Sequence, residues 1–202
     1  MFDVLIIGGG VSGISCALVL GSAKNKPFVT DKKIGVIIHQ KTSSLQEALL
    51  NNVYGIASGK LGSDLLAESV QHLSESYPHI DQIPNEKVLK IEGESAEFTI
   101  TTNKNTYKSK IVVVGIGAAN TFAIEGLMEY VEPHEKIPVE KQRIQLKNID
   151  HKVTEGLYVT GTLAGWRSQV AIAAGSGASV ATDILTLWNG GIQTQVHDSI
   201  KK

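Results

Sequence analysis

Apolar positions along the chain fall into unbroken runs, helix-spaced sets and alternations, and each pattern predicts a different element. Asp3-Val-Leu-Ile-Ile7 is an unbroken apolar run, as expected of a parallel strand buried on both faces. Residues 8–13 then turn the chain into a helix whose inward face takes Ile14, Ala17, Leu18 and Leu20. Lys26-Pro-Phe-Val-Thr30 predicts a second strand ending at Asp31. Helices are expected over 43–51 and 62–76, where Leu61, Leu65, Leu66, Val70 and Leu73 recur at helical spacing. Between Lys87 and Tyr107 the period changes. Val88, Leu89 and Ile91, then Phe98, Ile100 and Tyr107, with turns over 92–95 and 103–105, predict an antiparallel meander. Lys110-Ile-Val-Val-Val-Gly115 returns to the buried-strand pattern, and a linker-like stretch with Pro133 and Pro138 follows. A last strand spans 156–160 and a last helix 169–187, with a small-residue face of Ala171, Ala174, Gly175 and Ala178. The polar tail over 191–202 is expected to fray.

These elements predict an α/β fold: a Rossmann-like doubly wound parallel sheet with a small antiparallel meander inserted, in three layers. At 202 residues the chain can bury one sizeable core but is short for two full domains. We therefore expect a single domain over 1–190, its halves 1–120 and 150–190 joined by the linker. The 19 basic and 20 acidic residues leave a net charge of −1, which gives no general drive toward nucleic acid or an anionic membrane. Cys16 is the only cysteine, which excludes an intramolecular disulfide, a CxxC pair and a cysteine-based zinc site. The apolar N-terminus lacks a basic leading region and is interrupted by glycines, so a buried strand and turn explain it better than a signal peptide. No other stretch offers about 18 uninterrupted apolar residues, and a cytoplasmic protein is expected. The six histidines form no HxxxH pair, and no metal site is expected. No Gly-x-Ser-x-Gly elbow or Walker loop is present.

Gly8-x-Gly10-x-x-Gly13 has dinucleotide-binding spacing. The first glycine permits the tight turn, the second lets backbone approach a pyrophosphate, and the third lets the helix pack close to the sheet. The first-turn N–H groups of Val11, Ser12 and Gly13, with the positive end of the helix dipole, would then face phosphate. A glycine-rich turn without ligand is the plainer alternative. Asp31, 18 residues beyond Gly13, is placed by this reading to accept hydrogen bonds from an adenosine ribose; a solvated strand-end acid beside Lys32 and Lys33 is the other reading.

With these motifs the chain resembles the FAD-binding domain of thioredoxin reductases, within the flavoprotein disulfide reductase superfamily. The N-terminal strand and glycine turn match that family's FAD fingerprint. Asn52-Val-Tyr-Gly-Ile56 and Gly62-x-Asp64-Leu-Leu are similar to the stretch ahead of its second helix. Residues 107–117 resemble the strand leading to its Ala-Thr-Gly turn, which implicates Gly115 and Gly117 in cofactor binding. Gly156-Leu-Tyr-Val-Thr-Gly161 and Trp166-Arg-Ser-Gln-Val-Ala-Ile-Ala-Ala-Gly175 resemble its closing strand and flavin-contacting helix. The resemblance implies that Gly161 and Thr162 lie along the cofactor. It also implies that the helix start at Gln169 and Val170 faces the pyrimidine edge of the flavin, where its dipole would stabilise negative charge. A helix whose alanine face merely packs on the sheet is the alternative, and Trp166 either shields a flavin edge or fills a gap.

Three departures qualify what the resemblance implies. The family inserts a whole NAD(P)H domain with a second fingerprint and a CxxC pair, whereas only 38 residues separate Gly117 from Gly156. Thr162 stands where the family has a ribityl-binding aspartate, and Ile116 replaces a threonine. The reading is an FAD-binding oxidoreductase without disulfide chemistry and with no assigned catalytic side chain. Its partners would be NAD(P)H or a protein electron donor, and a homodimer stays open. The competing readings are a non-catalytic flavin-binding redox sensor or subunit, and an NAD-binding Rossmann protein. His39 either approaches the flavin or sits in solvent.

Overall fold

The computed structural model of the chain describes residues 1–39 and 43–197. Four apolar strands make its centre: β1 (Phe2–Ile7), β2 (Ile34–Ile38), β8 (Thr106–Val114) and β12 (Leu157–Val159). Successive side chains of a strand point to opposite faces, so each strand feeds two separate cores. Val4, Ile6, Val36, Val113 and Tyr158 face one core. Leu5, Ile7, Ile37, Val112, Val114 and Val159 face the other.

Helices α1 (Val11–Ser22) and α3 (Val170–Trp188) close the first core, together with Leu73 of α2 (Gly62–Ser76). An antiparallel layer closes the second: β6 (Val88–Glu92) and β7 (Phe98–Thr102), with a hairpin of β9 (Val131–Pro133) and β10 (Ile144–Leu146). Parallel pairing joins β1 to β2 and β8, β2 to β5 (Asp81–Pro84), and β8 to β12, while β11 (Lys152–Thr154) adds antiparallel to β12. A short ladder of β3 (Leu49–Leu50) and β4 (Lys60–Leu61) lies apart. This is the Rossmann-like three-layer fold that the sequence predicts.

Several boundaries differ from expectation for identifiable reasons. The second strand is 34–38, not 26–30. Only Phe28 and Val29 are apolar in 26–30, Pro27 has no N–H to give a ladder, and Val29, Thr30 and Lys32 instead donate back into successive turns. All five residues of β2 are buried, the continuous run that a central parallel strand requires. The helix expected over 43–51 is one 3₁₀ turn over Ser44–Glu47 followed by β3. The short polar edge strand β5 carries no hydropathy signal. Residues 106–114 form one continuous strand that is both the last arm of the meander and a central parallel strand.

The linker-like stretch is structured as well. It buries Phe122, Ile124, Leu127 and Leu146 in the second core, which a chain of prolines and charges disguises. In α3 the buried face is Ser176, Gly177, Val180, Ala181, Ile184 and Leu185, whereas Ala171 and Gly175 are exposed. A Cβ on Gly177 would lie 1.9 Å from the Ser12 carbonyl oxygen, so α1 and α3 approach closer than any larger residue permits. By length and composition α3 could cross a membrane, but its C-terminal half packs in this core. The tail is held as far as Thr194, which is buried and donates its N–H to Thr186 Oγ1 at 3.1 Å. Residues 198–202 lie outside the described residues.

Candidate functional site

The carboxyl ends of β1, β8 and β12 bring three glycine turns together. Gly8 leaves β1 with φ +118°, and a Cβ there would meet the Gly115 carbonyl oxygen at 2.4 Å. Gly13 sits against the Gly8 carbonyl, 1.9 Å from where its Cβ would be. Gly115 follows β8 and donates its N–H to the Ile7 carbonyl at 2.7 Å. A Cβ on Gly115 would reach Thr160 Oγ1 at 2.8 Å and Ser12 Oγ at 3.2 Å. Gly161 follows β12 with φ +69° and places the same demand on Ser12 Oγ, at 2.9 Å. Four of the fingerprint and turn glycines, Gly8, Gly13, Gly115 and Gly161, are thus required by packing alone.

Gly10 and Gly117 are different. Among the described residues, no atom lies within 4 Å of a Cβ built on either. Gly10 is the N-cap of α1 in extended conformation, with no side-chain cap and no acid in the first turn. The N–H groups of Val11, Ser12 and Gly13 are those a helix leaves without an intrahelical acceptor, and they point the positive end of α1 toward this open space. The arrangement fits a dinucleotide: a positive helix end, backbone donors, and a cradle at Gly10 that a side chain would fill.

A buried polar network links the turns. Thr160 Oγ1 donates to Ser12 Oγ at 3.1 Å, and the Gly161 N–H donates to Ser176 Oγ of α3 at 2.8 Å. His151, held at φ +71°, lies behind this turn with Nδ1 3.0 Å from the Val159 carbonyl and 3.5 Å from Ser176 Oγ. Thr162, half-buried in the 3₁₀ turn Gly161–Ala164, has its carbonyl 3.0 Å from His134 Nε2. Gln169 is the exposed N-cap of α3 and Val170 its first residue. Trp166 is partly exposed between the His151 ring, 6.0 Å away, and Lys136 Nζ, 4.5 Å from its centroid.

Asp31 is a correction. Because β2 begins at Ile34, Asp31 precedes the strand and stands at its amino end, opposite the glycine turns. The residue that leaves the carboxyl end of β2 is His39, exposed and one position beyond Ile38. The Gly8 N–H donates to the Ile37 carbonyl at 2.9 Å, which sets the end of β2 beside the fingerprint.

Sequence reasoning did not find Thr160, Ser176, His134 or His151. Their signal is slight, since buried polar residues are recognised by their hydrogen-bond partners and not by period. Burial pushes the Cys16 thiol up, well away from thiolate reactivity. Among the described residues no three His, Cys, Asp or Glu side chains are grouped to hold a metal ion. A hollow of 710 Å³ opens at the amino ends of the strands, between Phe2, Lys33, Asp81 and Tyr107. It contains none of the glycine turns, so donor chemistry and not cavity size marks the site.

A profile of the family described as pyridine nucleotide-disulphide oxidoreductase matches residues 2–176. The ferredoxin–NADP reductase of Streptococcus mutans is 29% identical over 124 residues, covering 58% of this chain and 34% of that protein. The chain spans between a third and a half of the length of the curated relatives it matches. Among solved structures, an oxidoreductase from Agrobacterium tumefaciens superposes with a TM-score of 0.71 at 14% identity, covering 92% of this chain and 98% of that one. A thioredoxin reductase from Gloeobacter violaceus gives 0.69 at 16% identity, covering 99% of each. These two likenesses establish the fold.

Proposed function

The chain belongs to the pyridine nucleotide-disulphide oxidoreductase family, whose thioredoxin reductase-like members bind FAD, and from that premise we propose an FAD-dependent oxidoreductase that works without disulfide chemistry of its own. The observation that carries the reading is the convergence of the Gly8, Gly115 and Gly161 turns on Ser12 and Thr160, beside the open cradle at Gly10. A nucleotide-binding edge of three strands is more than a lone glycine fingerprint provides.

When bound, FAD supplies the two-electron redox chemistry. The chain's own residues bind and orient. The backbone donors of Val11, Ser12 and Gly13 take the pyrophosphate, with Gly10 leaving room for it. Gly115 and Gly117 form the floor beyond β8. Gly161 and Thr162 would lie beside the ribityl chain, where the Thr162 hydroxyl could offer one neutral hydrogen bond. The N-terminus of α3, at Gln169 and Val170, would direct its positive dipole toward the flavin, which is why this reading prefers FAD to NAD alone. The position at the carboxyl end of β2 belongs to His39, which would take the ribose edge in place of an acid.

Cys16, the one cysteine of this sequence, is buried in α1, so electrons would enter from NAD(P)H docked transiently or from a protein donor. The partly exposed Trp166 and Ile172 at the start of α3 leave that end accessible. A cytoplasmic setting belongs to this reading. The test is the absorption spectrum of purified protein, with chromatography of the nucleotide released by heat. FAD supports the reading; NAD alone, or no nucleotide even after reconstitution, overturns it.

A further inference from the structure

We propose that the β9–β10 hairpin braces the Gly161–Ala164 turn and that His134 is the positioning residue through which it does so. The inference rests on the reading that Thr162 contacts the ribityl chain, and goes beyond it by assigning a task to the segment between the two halves of the sheet.

His134 is 5% exposed, at the end of β9. The Lys136 N–H donates to its Nδ1 at 3.1 Å. A backbone N–H can only donate, so Nδ1 is the acceptor nitrogen and Nε2 carries the proton. Nε2–H therefore donates to the Thr162 carbonyl at 3.0 Å. One residue earlier, the Gly161 N–H is held by Ser176 Oγ at 2.8 Å. With the chain anchored upstream at the Gly161 N–H and downstream at the Thr162 carbonyl, the direction of the Thr162 Cα–Cβ bond is restrained from both sides.

The rest of the hairpin engages the same turn. Asn148 Nδ2 donates to the Leu146 carbonyl at 2.7 Å and to the Ala164 carbonyl at 3.3 Å, tying the strand end of β10 to the turn. Gln145, buried in β10, accepts the Glu135 N–H at 3.2 Å and donates to Glu132 at 2.8 Å. Its Oε1 would lie 2.8 Å from a Cβ on Gly165, so the turn is seated against it. Burying the His134 imidazole and the Gln145 amide costs desolvation that apolar side chains would avoid. What the polar set adds is direction, which a cofactor-facing turn needs.

The test uses the FAD-loaded protein with Thr162→Val, His134→Ala, His134→Gln and the His134→Ala/Thr162→Val double variant. The readouts are the FAD dissociation constant, the visible circular dichroism of the flavin and the thermal midpoint. His134→Ala should weaken FAD several-fold and change the flavin dichroism. His134→Gln, whose amide can donate to the same carbonyl, should recover affinity to within about twofold of wild type. The double variant should bind no more weakly than the weaker single variant, because an undirected Thr162 has no contact left to lose. Should His134→Ala fail to fold, His134→Asn, polar but too short to reach Thr162, serves the same comparison. Wild-type affinity in Thr162→Val overturns the ribityl reading beneath the proposal. Weakened Thr162→Val with unaltered His134→Ala, or effects that simply add, overturns the brace itself.

Discussion

Thr160 Oγ1 donates to Ser12 Oγ at 3.1 Å, although the two lie 148 positions apart in the chain. Both are buried, and the bond joins the first turn of the fingerprint helix to the end of the closing strand. Thr160→Val keeps the volume but leaves Ser12 without that donor, at a cost of about 1–3 kcal/mol. Urea unfolding should show that loss, and the Ser12→Ala/Thr160→Val pair should lose less than the two single effects added. Strict additivity would mean that the two hydroxyls are energetically independent.

The glycines of the fingerprint should separate into two kinds. Gly10→Val places its side chain in open space, so the protein should fold with a near-normal unfolding midpoint yet retain no FAD. Gly13→Ala puts a Cβ 1.9 Å from the Gly8 carbonyl oxygen, and should destabilise by about 1–3 kcal/mol or more through forced backbone shifts. Calorimetry with and without added FAD distinguishes the two. Equal destabilisation would mean that Gly10 is a packing residue.

Asp31 and His39 exchange roles relative to the sequence reading. Asp31→Asn should leave the FAD dissociation constant unchanged, since the side chain lies at the far end of β2. His39→Ala should weaken it by a few-fold, the scale of one hydrogen bond of about 1 kcal/mol. Isothermal titration of FAD into both apo variants decides it. Loss of binding in Asp31→Asn alone would return the ribose edge to the acid.

How legible the fold was depended on where burial alone dictates sequence. The β1 run, the α2 periodicity and the meander alternation were all readable because each side chain there faces a core or solvent in a fixed period. The β2 run is equally plain at Ile34–Ile38, whereas the expected strand at 26–30 holds only Phe28 and Val29 as apolar residues and breaks at Pro27. The β9–β10 hairpin was illegible for another reason. Its strands are three residues long, and His134 and Gln145 are buried through hydrogen bonds that hydropathy does not register. The site followed suit: its glycines were visible as spacing, while the polar side chains that join them were not.

Acid should loosen the meander through Glu86. Burial raises its carboxyl pKa, but hydrogen bonds from Thr102 Oγ1 at 2.6 Å, Asn105 Nδ2 at 2.7 Å and Tyr107 OH at 2.9 Å outweigh that and hold it below the ordinary 4.5. A carboxyl lowered in the folded state stabilises above its unfolded value, and the contribution is lost as pH falls through the folded one. Glu86→Gln should therefore cost stability at pH about 7 and narrow its difference from wild type below about 4.5. A difference independent of pH in urea melts would show that Glu86 acts through packing alone.

Cys16 should take no part in turnover. It is fully buried in α1 between the sheet and α3, and burial raises its thiol pKa, so no appreciable thiolate exists near neutral pH. The native protein should resist a thiol reagent until it unfolds, with labelling that tracks the urea transition. Cys16→Ala removes one buried sulfur and should cost about 1 kcal/mol of stability while leaving the FAD content intact. The rate of flavin reduction by NADPH under anaerobic stopped flow should be the same in both proteins. That rate should also be slow, because the 38 residues between Gly117 and Gly156 build no domain to orient the nicotinamide and orientation carries much of such a rate. A marked drop in Cys16→Ala at full FAD occupancy would mean that a lone thiol takes part in the chemistry, and the reading without disulfide or thiol chemistry would have to be given up.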